Sequence, residues 1–270
     1  MVAKTRSSSK TGAANDARMF DGLLYCEGRP KPYFRGLFHL ITTTILMPIY
    51  FNLMYPQIDE TYELIAVAVL YCGSLFSFGT SCLFHCLKWE KHTEISLQKL
   101  DHCAIFINIA CVYTPVAIVL LNQNYDKLYF PVLVTLILTW IAALLGVYHV
   151  YNYRSQRMKL WVGNILLSVP AYPILSSCLT QFERTMSVIG LLSYALGAYL
   201  FSKRYKFIES FCPLIFGYHE VFHFLTVISF SCTILLLYST ISHTSLRCFD
   251  NVTDVICSDS YDSTEGIVIP

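Results

Sequence analysis

The stretch LYFPVLVTLILTWIAALLGVYHV, residues 128–150, contains no charged side chain. A helix needs roughly 20 apolar residues to cross the hydrocarbon core of a bilayer, so this segment is long enough to span one. Similar apolar runs recur at about 37–55, 63–87, 101–121, 159–179, 185–202 and 212–238, making seven spans in all. The run at 185–202 is the shortest, and it spans only if its flanking residues reach out to the interface. A barrel strand would show about ten residues of alternating polarity. These runs are apolar on every face, so the expected fold class is an all-α integral membrane protein, a bundle of seven transmembrane helices.

The composition of the whole chain agrees. Of 270 residues, 55% are hydrophobic and 14% charged, against about a quarter charged in an average soluble domain. The formal charge of +1 provides no basic face of the kind that neutralises phosphates, so nucleic acid is not an expected partner. What the charges do show is segregation. Lys4, Arg6, Lys10, Arg18, Arg29, Lys31 and Arg35 precede or open the first run; Lys88, Lys91 and Lys99 follow the second; Arg154, Arg157 and Lys159 follow the fourth; Lys203, Arg204 and Lys206 follow the sixth. Sixteen of nineteen basic residues therefore share one side, and only Lys127, Arg184 and Arg247 lie on the other. Positively charged loops stay in the cytoplasm, so the N-terminus is expected inside and the C-terminus outside or lumenal.

The resulting organisation is a cytoplasmic N-terminal tail over 1–30, a membrane domain over 31–240 and an outer tail over 241–270. The first 18 or so residues are Ser-, Lys- and Ala-rich without an apolar core, which reads as disorder and not as a cleaved signal peptide. In the acidic outer tail, Asn251-Val252-Thr253 is an N-glycosylation sequon. Cys248 and Cys257 flank it, in a compartment where disulfides form.

Polar side chains within apolar runs are costly and mark pairing or function. His219-Glu220-Val221-Phe222-His223 places two imidazoles one turn apart on one helix face, a chelating geometry. Ser81-Cys82-Leu83-Phe84-His85 repeats that spacing at the end of the second run, and Asp101 opens the third. The direction of each span puts all of these in the cytoplasmic half of the membrane. Three neutral imidazoles from His85, His219 and His223 plus a water would make a zinc site with one open position. Asp101 could then orient the water or take its proton. His39, Asn108, His149 and Asn164 read as interhelical hydrogen-bonding groups. His102, about 100° around the helix from Asp101, reads as facing away from the site. His92 and His243 fall in loops or tails.

These residues together resemble the family that joins bacterial hemolysin III proteins with the progestin and adipoQ receptors, the adiponectin receptors among them. Leu100-Asp101-His102, followed by Tyr113-Thr114-Pro115, resembles the third span of that family. Ser81-x-x-x-His85 and His219-x-x-x-His223 match two further motifs in order and spacing. Pro32-x-x-Arg35-Gly36-x-x-His39 resembles the first-span signature of hemolysin III-type members. The resemblance runs over about residues 30–240. It implies zinc ligation by His85, His219 and His223, with Asp101 and Ser81 around the bound water, and the same N-in, C-out topology. Through the more distant alkaline ceramidases it implies amide hydrolysis of ceramide-like lipids. The short N-terminal region and the hemolysin-like first-span motif depart from the receptors, so no hormone ligand carries over.

Three other readings compete. His219-Glu220-x-x-His223 also fits the H-E-x-x-H pattern of zinc proteases, in which Glu is the general base; no later acidic span completes such a site. A membrane receptor or signalling scaffold could hold zinc as a structural clamp, with a lipid or protein ligand and membrane lipids as its partners. A pore finds little support, because no series of charges lines one helix face.

Overall fold

The computed structural model describes residues 24–28, 31–32, 34–123, 125–153, 157–203 and 216–261. Seven helices in it are long and apolar enough to cross a membrane. They are α1 (Phe34–Gln57), α2 (Thr61–Cys86), α3 (Lys91–Gln123), α4 (Tyr125–Tyr153), α5 (Lys159–Ser177), α6 (Gln181–Lys203) and α7 (Tyr218–Tyr261). The short sixth run is thus a complete helix, extended at both ends by residues that an apolar window leaves out.

Two helices deviate from regular geometry, and proline explains both. In α1, Thr42–Leu46 widens into a π-turn just before Pro48, whose ring would clash with a carbonyl four residues back and which lacks an N–H. The hydroxyls of Thr42, Thr43 and Thr44 donate to the carbonyls of Phe38, His39 and Leu40 in that stretch. In α5, a 3₁₀ turn over Val169–Ala171 surrounds Pro170. On the opposite side from the basic connections, Glu60 and Glu63 form a reciprocal capping box that opens α2.

α3 begins at Lys91, ten residues before the apolar run. Asp101 is therefore not an opening residue favoured by the helix dipole; it lies nearly three turns inside, and His92, read as a loop residue, sits in the first turn. The polar segment 91–100 extends the helix beyond what hydropathy detects. α7 differs in the other direction. It starts at Tyr218, so His219 and His223 occupy its first two turns and not a depth of two to three turns. α7 also continues through residue 241, where a polar tail was expected; Asn251, Cys248, Cys257 and His243 lie beyond the residues whose side chains are described.

Tight contacts bring the helices close at the end of the bundle that carries the basic connections. Gly36 lies against Cys86 Sγ and the Cβ of His85, and a methyl group there would collide with the sulfur. The Tyr113-Thr114-Pro115 motif ties α3 to α4: Tyr113 Oη bonds Thr135 Oγ1 (2.6 Å), and Trp140 Nε1 donates to Thr114 Oγ1 (3.0 Å). Towards the other end, Met54, Val67, Leu70, Phe78, Val119, Phe230, Ile234, Leu237 and Ile241 form a buried apolar cluster between α1, α2, α3 and α7.

Candidate metal centre

His85 is in the last turn of α2, and α7 begins beside it. The antiparallel arrangement therefore brings the His85 ring to 5.1 Å from that of His219 and 5.4 Å from that of His223, between ring centroids. One ligand nitrogen from each of the three lies within 4.8 Å of the others. Tetrahedral coordination at about 2.0–2.1 Å places the ligand nitrogens about 3.3–3.4 Å apart, so the rings would have to draw together around an ion. The donor set is all imidazole and largely buried. Among the described residues His85 Nε2 is buried with no hydrogen-bond partner, and so is Ser81 Oγ, one turn earlier on the same face. Buried polar atoms normally find partners, and an orphaned lone pair facing two other imidazoles is what a metal ion would satisfy. Asp101 Oδ2 lies 3.9 Å from His85 Nε2, too far for a direct hydrogen bond. The five residues singled out in the sequence are thus brought together at one end of the bundle.

A cavity of about 30 Å³ adjoins the cluster, lined by Ser81, Asp101, His219 and His223 among others. That is room for about two waters. His102 lines it as well and is not turned away as expected, because the cavity is wide enough to border two consecutive positions of α3. Trp161 of α5 closes another wall; its indole N–H is buried and unsatisfied among the described residues. A second, apolar cavity of about 240 Å³ continues between α3, α5, α6 and α7, lined by Val112, Tyr172, Leu175 and Leu236 among others. Asn108, Tyr194 and Thr226 border both cavities.

Around the cluster sits a second set of contacts that motif spacing did not expose. Glu220, between the two α7 histidines in sequence, accepts from Arg35 Nε (2.6 Å) and, through its other oxygen, from the backbone N–H of Gly217 (2.7 Å). It is an ion-pair partner and a cap for the start of α7, which removes the geometry that a protease general base needs. Arg35 in turn hydrogen-bonds Tyr25, and Tyr25 Oη meets His85 Nδ1 at 2.6 Å. Burial pushes the Tyr25 hydroxyl up to about 12, against the pull of the nearby Arg35, so it stays protonated at neutral pH. Lys31 Nζ donates to the carbonyls of Phe84 (2.9 Å) and Leu87 (2.6 Å), satisfying the C-terminal end of α2. Tyr25 and Lys31 fall in or beside the segment assigned to the tail, yet both are buried.

His39 is a hydrogen-bonding group, as expected, and it bonds to His223 (3.1 Å) and Thr226 (3.3 Å). Asn108 also behaves as expected, accepting from Ser74 Oγ. Asn164 does not: both ends of its buried amide lack a partner among the described residues.

Residues 28–234 match the family model described as Haemolysin-III related.

Proposed function

The chain belongs to the haemolysin-III-related family and is an integral, multi-pass membrane protein, and on that premise we propose that it hydrolyses an amide bond in a ceramide-like lipid with zinc as its metal. One observation carries the reading: a buried three-histidine cluster lies beside a carboxylate and a small cavity that shares Asn108, Tyr194 and Thr226 with an apolar cavity large enough for part of an acyl chain. Imidazole nitrogen in a three-ligand set suits zinc in an open, catalytic arrangement. Held by His85, His219 and His223, zinc would supply Lewis acidity to a water and to the substrate carbonyl.

The residues of the chain do the rest. Asp101 Oδ2 is within a water's reach of the cluster, where it takes the proton from the attacking water and passes it to the leaving amine. Ser81 Oγ, without a hydrogen-bond partner among the described residues, orients that water. The unsatisfied Trp161 N–H is suited to an oxygen of the lipid head. The apolar walls exclude bulk water and hold the chain in line with the site. The basic connections support a cytoplasmic N-terminus and an outer or lumenal C-terminus; in that orientation the chemistry would lie in the cytoplasmic leaflet.

The test uses purified protein in nanodiscs, offered a panel of ceramides and other lipid amides, with release of free fatty acid measured. Wild type should turn over at least one of them, and Asp101→Ala should lose turnover while retaining zinc. His219→Ala should lose both. A folded, zinc-loaded wild type inactive across the panel would favour a receptor or scaffold in which the metal clamps α7 to α2.

A further inference from the structure

The hydrogen bonds behind the metal cluster have directions that can be worked out one after another. The Thr226 hydroxyl donates its only hydrogen to the backbone carbonyl of His223 (2.7 Å), so its oxygen can only accept from elsewhere. His39 Nε2, at 3.3 Å from that oxygen, must then carry a hydrogen. A neutral imidazole has one N–H. His39 Nδ1 is therefore bare, and it accepts from His223 Nδ1 at 3.1 Å. This leaves the hydrogen of His223 on Nδ1 and a bare lone pair on Nε2.

His85 reaches the same state by another route. Its Nδ1 faces Tyr25 Oη at 2.6 Å, while its Nε2 is buried without a hydrogen-bond partner among the described residues. Binding a metal through Nε2 requires the ring hydrogen on Nδ1, where the Tyr25 oxygen receives it. Tyr25 itself is held in place from outside the bundle. The backbone N–H of Cys26 lies 3.1 Å from each oxygen of Glu94 on α3, and Lys31 grips the end of α2.

We propose that His39 and Tyr25 are positioning residues that lock His223 and His85 in the Nδ1–H tautomer, so that both present Nε2 to one metal ion. The proposal rests on the reading that the three histidines hold zinc. Neither positioning residue is a ligand, and Tyr25 lies outside the stretch 28–234 that matches the family. Outer partners of this kind orient a ligand and raise its basicity, and losing one typically weakens metal binding about 10- to 100-fold.

Zinc affinity of the full chain in nanodiscs, measured by competition with a chromophoric chelator, reads the effect. His39→Leu and Tyr25→Phe should each bind zinc about 10- to 100-fold more weakly. His39→Gln should stay near wild type, because its amide oxygen accepts from His223 and its amide nitrogen donates to Thr226. Nitrogen NMR of metal-free protein carrying isotope-labelled histidine reads the tautomers directly: Nδ1–H in wild type, a mixture in the two damaging variants. Wild-type zinc affinity in both His39→Leu and Tyr25→Phe would overturn the proposal, as would a His39→Gln as weak as His39→Leu, which would make His39 a ligand. A wild type that binds no zinc would defeat the metal reading instead, and the NMR spectra of the metal-free protein would still decide the tautomers. Should His39→Leu fail to fold, Tyr25→Phe, which keeps the ring, carries the test.

Discussion

One face of α7 changes character halfway along. His219, His223, Thr226, Phe230, Ile234, Leu237 and Ile241 follow one another at intervals of three or four residues, the repeat that keeps side chains on one stripe of a helix. The first three are polar and joined to α1 or α2 by directional contacts; the last four are buried and apolar. α2 repeats the pattern in reverse, from Val67 and Leu70 through Ser74 and Phe78 to Ser81 and His85. Because the two helices run in opposite directions, both turn polar at the same end of the bundle.

The two halves are held together by different physics. In lipid there is no hydrophobic drive between helices, since the acyl chains are as apolar as leucine. The apolar half therefore coheres by filling volume, which fixes distance but tolerates sliding. The polar half fixes register, because a displacement by one residue breaks every directional contact in it. A histidine cluster shared by residues 85 and 219, which could hold a metal ion, needs the second kind of constraint.

The largest effect expected from breaking this contrast is at the buried ion pair. Glu220→Ala strands the Arg35 guanidinium and uncaps Gly217, and should destabilise the protein by about 3–5 kcal/mol, read as a lowered thermal midpoint in detergent. Combining Glu220→Leu with Arg35→Met should recover most of that loss, because no charge is left unpaired. If Glu220→Ala instead kept full stability and lost only turnover, Glu220 would be a catalytic base and the ion pair incidental.

A smaller loss is expected in the apolar half. Ile234→Ala opens a cavity in the cluster around Phe230 and Leu237. Comparable truncations in soluble cores cost about 2–5 kcal/mol, and the lower end applies here because the unfolded segment also stays in lipid. Zinc affinity should be unchanged; a fall as large as that for Tyr25→Phe would show that the halves are not independent. The smallest effect sharpens the comparison away from the metal. Thr114→Val keeps the shape but removes the acceptor for Trp140, and should cost about 0.6 kcal/mol, the average for an interhelical hydrogen bond in a membrane. A cost several times larger would mean that directional bonds also set register between α3 and α4.

The spacing of His219 and His223, and of Ser81 and His85, was legible because one helical turn is a local property of the chain. So was the Arg35-Gly36-x-x-His39 motif, although its meaning was not. Arg35 pairs with Glu220, Gly36 makes room for Cys86, and His39 supports His223, and each of those partners lies on another helix. Tyr25 carried no signal at all, being one of nineteen tyrosines in a chain rich in aromatic residues. His102 was misread because a helical wheel shows direction around the axis and says nothing about the width of the space it faces.

By itself, the sequence determined that seven segments are able to cross a bilayer and that the candidate ligands share the half of their spans next to the basic connections. Both follow from side-chain polarity counted along the chain, and need no knowledge of which helix neighbours which. Only the tertiary structure decided that Arg35 is the partner of Glu220 and that His39 and Tyr25 stand behind the cluster. Those outcomes depend on contacts between residues as far apart as 187 positions, which no local pattern along the chain records.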